Sequence, residues 1–280
     1  SGPITRFSRI RARLAERVCS RKTFLRGMEI FLVGLGFKVL LANRFGGLWK
    51  NIGGIGYESV SVPLAWMGIV AYSLQIYFDF SGYSDMAIGL GRMLGFRFNE
   101  NFDYPYLSAS VTEFWRRWHM SLTSWFREYL YIPLGGNRRG KAKTLRNILV
   151  VWLCTGFWHG ASWNFILWGL YFALWLILEK YVLRGALAKT PSFFKHGYTL
   201  AVVFVGWGLF AMEDLGICMR YLAVCFGGGA LWSAGDGYLL RSYAVTFLVL
   251  ILASTNGQPA GGTEVVMTYV FKYFFGYSGR

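Results

Sequence analysis

Apolar residues in this chain gather in blocks separated by short polar or glycine-rich runs. The blocks cover residues 28–42, 62–80, 147–157, 163–178, 198–212, 217–226 and 238–253. Several approach the roughly 20 residues that carry a helix across a bilayer, so the pattern predicts an all-α, polytopic transmembrane bundle. Before the first block, Phe7, Ile10, Leu14 and Val18 recur at helical spacing among Arg6, Arg9, Arg11, Arg13, Arg17, Arg21, Lys22 and Arg26. That spacing predicts a basic amphipathic, interfacial segment over residues 1–26. An ordinary solvated basic helix carries the same pattern.

Block 28–42 is short for a span and is interrupted by Lys38, whose stem would let its charge snorkel to water. The glycines that follow (Gly46, Gly47, Gly53, Gly54, Gly56) lack the Lys-Ser/Thr of a phosphate loop and predict a turn region outside the bilayer. Block 62–80 runs on through Asp79-Phe80-Ser81-Gly82-Tyr83-Ser84-Asp85. Two carboxylates in such apolar sequence either line a polar cavity or pair with Arg92 or Arg97 and cap a helix. Ser81, Gly82, Ser84, Gly89 and Gly91 permit close helix packing.

Residues 112–160 are the chemical centre. After a polar, aromatic loop at 99–110, Thr112 is a candidate N-cap. In the helix it would start, Trp115 and His119 share one face, and Glu113 and Arg117 form a second i,i+4 pair. Ile132-Pro133-Leu134-Gly135-Gly136 ends the helix, and five basic residues in 138–146 predict a cytoplasmic loop. His159 falls at a helix end or short break between two apolar blocks, where irregular backbone needs protein or a water-filled cavity around it. His196, beside Lys195, reads as solvated, and Glu213-Asp214 as a turn. The last 25 residues, glycine-rich and then aromatic, are not placed.

Composition sharpens the membrane reading. The chain is 55% hydrophobic with only 15% charged residues, where a soluble domain carries about 25%. Its net charge of +15 falls between apolar blocks, as in loops facing anionic lipid, rather than in a nucleic-acid footprint. Cys19, Cys154, Cys218 and Cys225 form no CxxC pair, and the last three sit in apolar runs as small buried hydrophobes. No metal site is suggested. From residue type alone, His119 and His159 are general bases, satisfied structural histidines, or a haem or metal pair. Arg116, Arg117, Arg127 and the basic loop either meet donor phosphates or set topology.

Several runs resemble the membrane-bound O-acyltransferase family, in particular its bacterial alginate and polysaccharide O-acetyltransferase branch. They are Tyr77-Phe78-Asp79-Phe80-Ser81-Gly82-Tyr83-Ser84-Asp85-Met86-Ala87, Pro105-Tyr106-Leu107, Glu113-Phe114-Trp115-Arg116-Arg117-Trp118-His119, Trp125-Phe126-Arg127-Glu128-Tyr129-Leu130-Tyr131, Pro133-Leu134-Gly135-Gly136-Asn137-Arg138-Arg139-Gly140 and Trp158-His159-Gly160. The resemblance implies a single multi-helix domain, here residues 1–280, with a funnel or tunnel through it. Ser1-Gly2-Pro3-Ile4 resembles a motif well inside the longer family chains, so further helices are expected to precede it. The resemblance makes His159 the essential histidine and His119 the second one. Trp115, Arg116, Arg117, Asp79, Asp85, Trp158 and Asn137 are the expected substrate-binding residues.

The activity implied is transfer of an acetyl group from cytoplasmic acetyl-CoA, with no bound cofactor, to a hydroxyl outside the bacterial inner membrane. The acceptor is an exported polysaccharide or an extracytoplasmic partner acyltransferase. Two alternatives stay open: D-alanyl transfer in teichoic acid modification, and a membrane transporter with no enzymatic step.

Overall fold

The computed structural model describes residues 3–255 except 8, 9, 12, 13, 15, 16 and 18. Among these residues all regular structure is helical. The expectations for Arg9, Arg13, Val18 and the glycine-rich and aromatic tail lie outside the described residues.

Helix α1 (Arg21–Gly36) starts at a capping box. Ser20 Oγ accepts from Thr23 N, and Thr23 Oγ1 accepts from Ser20 N. The chain runs without interruption through a π-helical turn (Phe37–Ala42) into α2 (Asn43–Ile55). Gly46, Gly47, Gly53 and Gly54, read as part of a turn region, are therefore helical, while Gly56 lies past the helix end with φ at +100°. Phe45, Leu48 and Ile52 explain the helix. They recur every three or four residues and are fully buried, and burying them outweighs a glycine penalty of about 1 kcal/mol per position.

Helix α3 (Val62–Met93) is 32 residues long, with Ser61 as N-cap and Pro63 in its first turn. It crosses α1 at four glycines. A Cβ placed on Gly34 would lie 2.5 Å from Gly82 O, and one on Gly89 would lie 2.6 Å from Gly27 O. Only hydrogen fits at such a crossing. Close approach brings Lys38 Nζ to 2.5 Å from Asp79 Oδ1. Asp79 thus pairs across helices with Lys38, and neither Arg92 nor Arg97 is its partner. The lysine that seemed to interrupt a span instead neutralises the carboxylate that seemed to need an arginine.

Beyond α3 come a 3-10 turn (Pro105–Leu107), α4 (Val111–Arg117), α5 (Met120–Phe126) and a π turn (Arg127–Tyr131). Then follow α6 (Lys141–His159) and α7 (Trp163–Leu178), which continues through a π turn (Glu179–Leu183) into α8 (Arg184–Lys189). The last helices are α9 (Ser192–Ala211), α10 (Leu215–Ala223) with its π turn (Val224–Gly228), and α11 (Asp236–Thr255). Trp163–Lys189 and Ser192–Ala211 are long and apolar enough to cross a membrane, while Leu215–Gly228 is shorter.

Two cores result. One joins α2, α3 and α10 through Phe45, Leu48, Ile52, Ala65, Ile69 and Tyr221. The other is aromatic, with Phe114, Trp115, Trp168, Phe172 and Trp207 drawn from α4, α7 and α9, and Trp118 from just past the end of α4. Cys218 and Cys225 are buried, but Cys154 is exposed. A segment apolar on every face does not reveal which residues turn inward, so the expectation for Cys154 fails. His196 is also corrected. It lies in α9, with Nδ1 donating to Ser108 O at 3.1 Å and Nε2 3.1 Å from Ser192 Oγ. A long-range carbonyl, invisible in local sequence, makes it a tie between α9 and the loop before α4.

Candidate active site

The stretch carrying His119 does not form the single helix that its spacing predicts. The N-cap is Ser110, whose Oγ accepts from Glu113 N at 3.0 Å. Thr112 is already inside the first turn. Its N and Oγ1, and Val111 N, all donate to the buried Glu179 carboxylate at 2.6–2.8 Å. Glu179 thereby ties the start of α4 to the end of α7. The expected Glu113–Arg117 pair forms, at 2.8 Å.

Helix α4 stops at Arg117. Trp118 is extended and His119 adopts a left-handed backbone, with φ at +45°. Trp115 and His119 therefore do not share a helix face as expected. A non-glycine residue in that conformation is uncommon and persists only where its surroundings hold it. Here the preceding loop does so. Asp103 N donates to Arg117 O, and Met120 N donates to Asn101 O, on either side of the break. The consequence is that the imidazole turns towards α3 and α6. His119 is 3% exposed, packs edge-on against Phe80 at 4.6 Å between ring centres, and its Nε2 has no partner within the protein.

His159 is the last residue of α6, ended by Gly160. Its ring is half-buried among Trp158, Trp168 and Phe210, with centres 4.8–5.0 Å apart, and Phe165 at 6.1 Å. Helix α7 approaches α6 closely because Gly156 faces the backbone of Phe165 and Gly169 that of Trp152. Trp158 joins the two histidines, its ring 6.0 Å from His119 and 4.8 Å from His159. Trp158 is itself 46% exposed, so one side of the pair opens outwards. Among the described residues no three His, Cys, Asp or Glu side chains gather to hold a metal.

A model of the membrane-bound O-acyltransferase family matches residues 2–222. The chain belongs to this family. A "Probable alginate O-acetylase AlgI" of Pseudomonas syringae pv. tomato is 40% identical over 278 residues, covering 99% of this chain and 50% of that protein. A peptidoglycan O-acetyltransferase of Helicobacter pylori is 35% identical over 231 residues, covering 79% and 43%. A teichoic acid D-alanyltransferase of Streptococcus thermophilus is 31% identical over 204 residues, covering 66% and 48%. The chain spans about half the length of the curated relatives it matches.

In this family member the other expected site residues divide into four groups. Trp115 is buried against Trp152, Phe172 and Trp168, one ring removed from His159, and its Nε1 is unpaired. Arg117 is held by Glu113 and lies 3.9 Å from Asp103, whereas Arg116 is exposed. Asp85 is half-buried on α3 beside Gly34 and one residue from Ser84, with no ion pair among the described residues. Asn137 belongs elsewhere. Its Oδ1 accepts from Tyr131 Oη at 2.5 Å and from Lys180 Nζ at 2.6 Å. The buried Asn147 then donates to Leu134 O and Gly136 O, so the Pro-Leu-Gly-Gly-Asn-Arg run is fastened to α6 and α7.

A cavity of about 580 Å³ lies beside the His119 break, walled by Ile4, Arg6, Arg97, Glu100, Ser121 and Glu128 among others. Arg6 pairs with Glu128 across it. Sequence reasoning missed Glu179 and Asn101. Glu179 left a signal, as the first charge after sixteen residues of apolar helix. Asn101 left none beyond lying in a polar loop.

Proposed function

We propose that the chain is the catalytic half of a multi-pass bacterial inner-membrane O-acyltransferase. It takes an acetyl group from cytoplasmic acetyl-CoA and passes it towards a hydroxyl of an exported polysaccharide or of an extracytoplasmic partner protein. The observation that carries this reading is the histidine pair bridged by one indole, in an aromatic shell that keeps water away and opens on one side. Family membership supplies the reaction type.

In the reaction His159 takes the proton of the acceptor hydroxyl. The freed oxygen attacks the thioester carbonyl, the tetrahedral oxyanion collapses, and the C–S bond breaks. The departing thiolate receives the proton from the His159 imidazolium, leaving the acyl ester and the free thiol. His119, buried with Nε2 unpaired, orients the thioester. Trp115 and Trp158 shape the acyl slot, and Asp85 polarises its α3 wall. The polar cavity beside the break suits the polar end of the donor better than Arg116 and Arg117 do, because Arg117 is already paired. The tunnel expected of the family would run between this cavity and the open side at Trp158.

The test is transfer from radiolabelled acetyl-CoA in membranes carrying the full-length protein, wild type against His159→Ala. Label in an extracytoplasmic product only in the wild type, at equal protein level, is the expected result. Equal labelling in both removes His159 from the chemistry. A D-alanyl cargo is the second reading, favoured by the 31% identical D-alanyltransferase. It predicts no acetyl label but label from D-alanyl carrier protein. Solute movement that persists with both histidines replaced by Gln would favour a transporter.

A further inference from the structure

We propose that Asn101 is the positioning residue for His119, acting as a hydrogen-bonded clamp that fixes the left-handed turn presenting the imidazole. The inference rests on the assignment of His119 to the transfer site. Asn101 is 1% exposed, and its side-chain amide and its carbonyl are all hydrogen-bonded. Its Nδ2 donates to Ser84 Oγ at 3.0 Å, on α3 next to Asp85. Its Oδ1 accepts from Ser121 Oγ at 2.8 Å and from Ser121 N at 3.2 Å. Its own carbonyl accepts from Met120 N at 2.9 Å. Two residues on, Asp103 N closes on Arg117 O at 3.0 Å. These bonds grip Arg117 on one side of His119 and Met120 and Ser121 on the other without touching its ring.

A left-handed β-carbon-bearing residue sits well above its relaxed backbone energy, and the imidazole Nε2 finds no protein partner in return. Something outside His119 must therefore hold the turn, and the Asn101 loop is what contacts both of its flanks. Left to its propensity, the chain would extend α4 into α5 and swing His119 to the face below Trp115, away from Phe80 and Trp158. The clamp also reaches the polar cavity, because Ser121 Oγ accepts from Ile4 N at 3.0 Å and Ser121 lines the cavity wall. One amide thus joins α3, the cavity wall and the histidine-bearing turn.

Diethyl pyrocarbonate labelling of the detergent-solubilised full-length protein, read residue by residue by mass spectrometry, tests this without needing activity. In the wild type His159, half-buried beside an exposed Trp158, reacts and the buried His119 is protected. Asn101→Ala should raise His119 labelling about tenfold, the scale of losing a buried hydrogen bond, while His159 labelling stays at the wild-type rate. Ser84→Ala, which removes only the acceptor of Nδ2, should give a smaller rise in the same direction and serves if Asn101→Ala does not fold. Unchanged His119 labelling in a folded variant overturns the clamp. A parallel rise at both histidines also overturns it, since that reports general loosening. Selective His119 labelling with acyl transfer unaffected keeps the clamp and removes His119 from the proposed reaction.

Discussion

The glycine-crossed pair α1/α3 and the aromatic shell around the histidines are built from similarly apolar sequence, yet they resolve their polar groups in opposite ways. At the crossing, the backbone stays helical and Asp79 meets Lys38. In the shell, the backbone breaks at His119, and His119 Nε2, Trp115 Nε1 and Trp168 Nε1 are buried without protein partners. Buried polar atoms without partners cost stability, and proteins keep them where function requires. Under the proposed function the crossing is scaffold and the shell holds the chemistry, and replacements should separate along that line.

The largest effect belongs to the shell. His159→Ala should lower acyl transfer by about 10²–10⁴-fold, the range of general-base catalysis, with membrane-inserted protein unchanged on a quantitative blot. Turnover retained within a few fold would erase the distinction between the two regions.

Next comes the scaffold. Gly82→Val puts side-chain atoms into the α1 backbone at Gly34 and should destabilise by about 3 kcal/mol or more, seen as lost protein or a lowered thermal midpoint. The small amount that folds should keep the wild-type rate per molecule. His119→Gly sharpens the comparison further, because it removes backbone strain and the imidazole together. The expected result is reduced transfer with a stability loss smaller than the roughly 2–5 kcal/mol that emptying a buried site costs, because the left-handed strain is relieved. A stability loss of that full size would mean that the turn carries no strain.

Smaller effects test the ion pair and the loop. Asp79→Ala strands Lys38 and should cost more stability than Lys38→Ala/Asp79→Ala together, a difference of about 1 kcal/mol in chemical unfolding. Strong loss of transfer in the double variant would return Asp79 to the site. Asn137→Ala frees Tyr131 and Lys180 and should cost about 1 kcal/mol, with the apparent donor KM unchanged. A large rise in that KM would restore Asn137 to substrate binding.

The family and the all-helical class were legible in the chain because each depends on local information. Long apolar runs can only be helices if they meet lipid, and the Trp-Arg-Arg-Trp-His and Trp-His-Gly runs are short motifs. The Glu113–Arg117 pair was legible for the same reason, since i,i+4 neighbours on a helix are fixed by its pitch.

Tertiary structure decided the rest. Lys38 chose Asp79, although both arginines are nearer to Asp79 in sequence, because two glycine pairs bring α1 against α3. The turn at His119 runs against local helix propensity, and its cause, the Asn101 loop, acts through bonds that no residue pattern announces. Lys180 fastens Asn137 from 43 residues away, Asn147 holds the carbonyls of Leu134 and Gly136 from 13 and 11, and Glu179 reaches Thr112 across 67. Local sequence determined that the chain is helical and which residue types it offers for chemistry. Which of those residues meet was fixed by contacts whose partners are far apart in the chain, and a hydrogen bond or close packing carries no mark of its partner along the sequence.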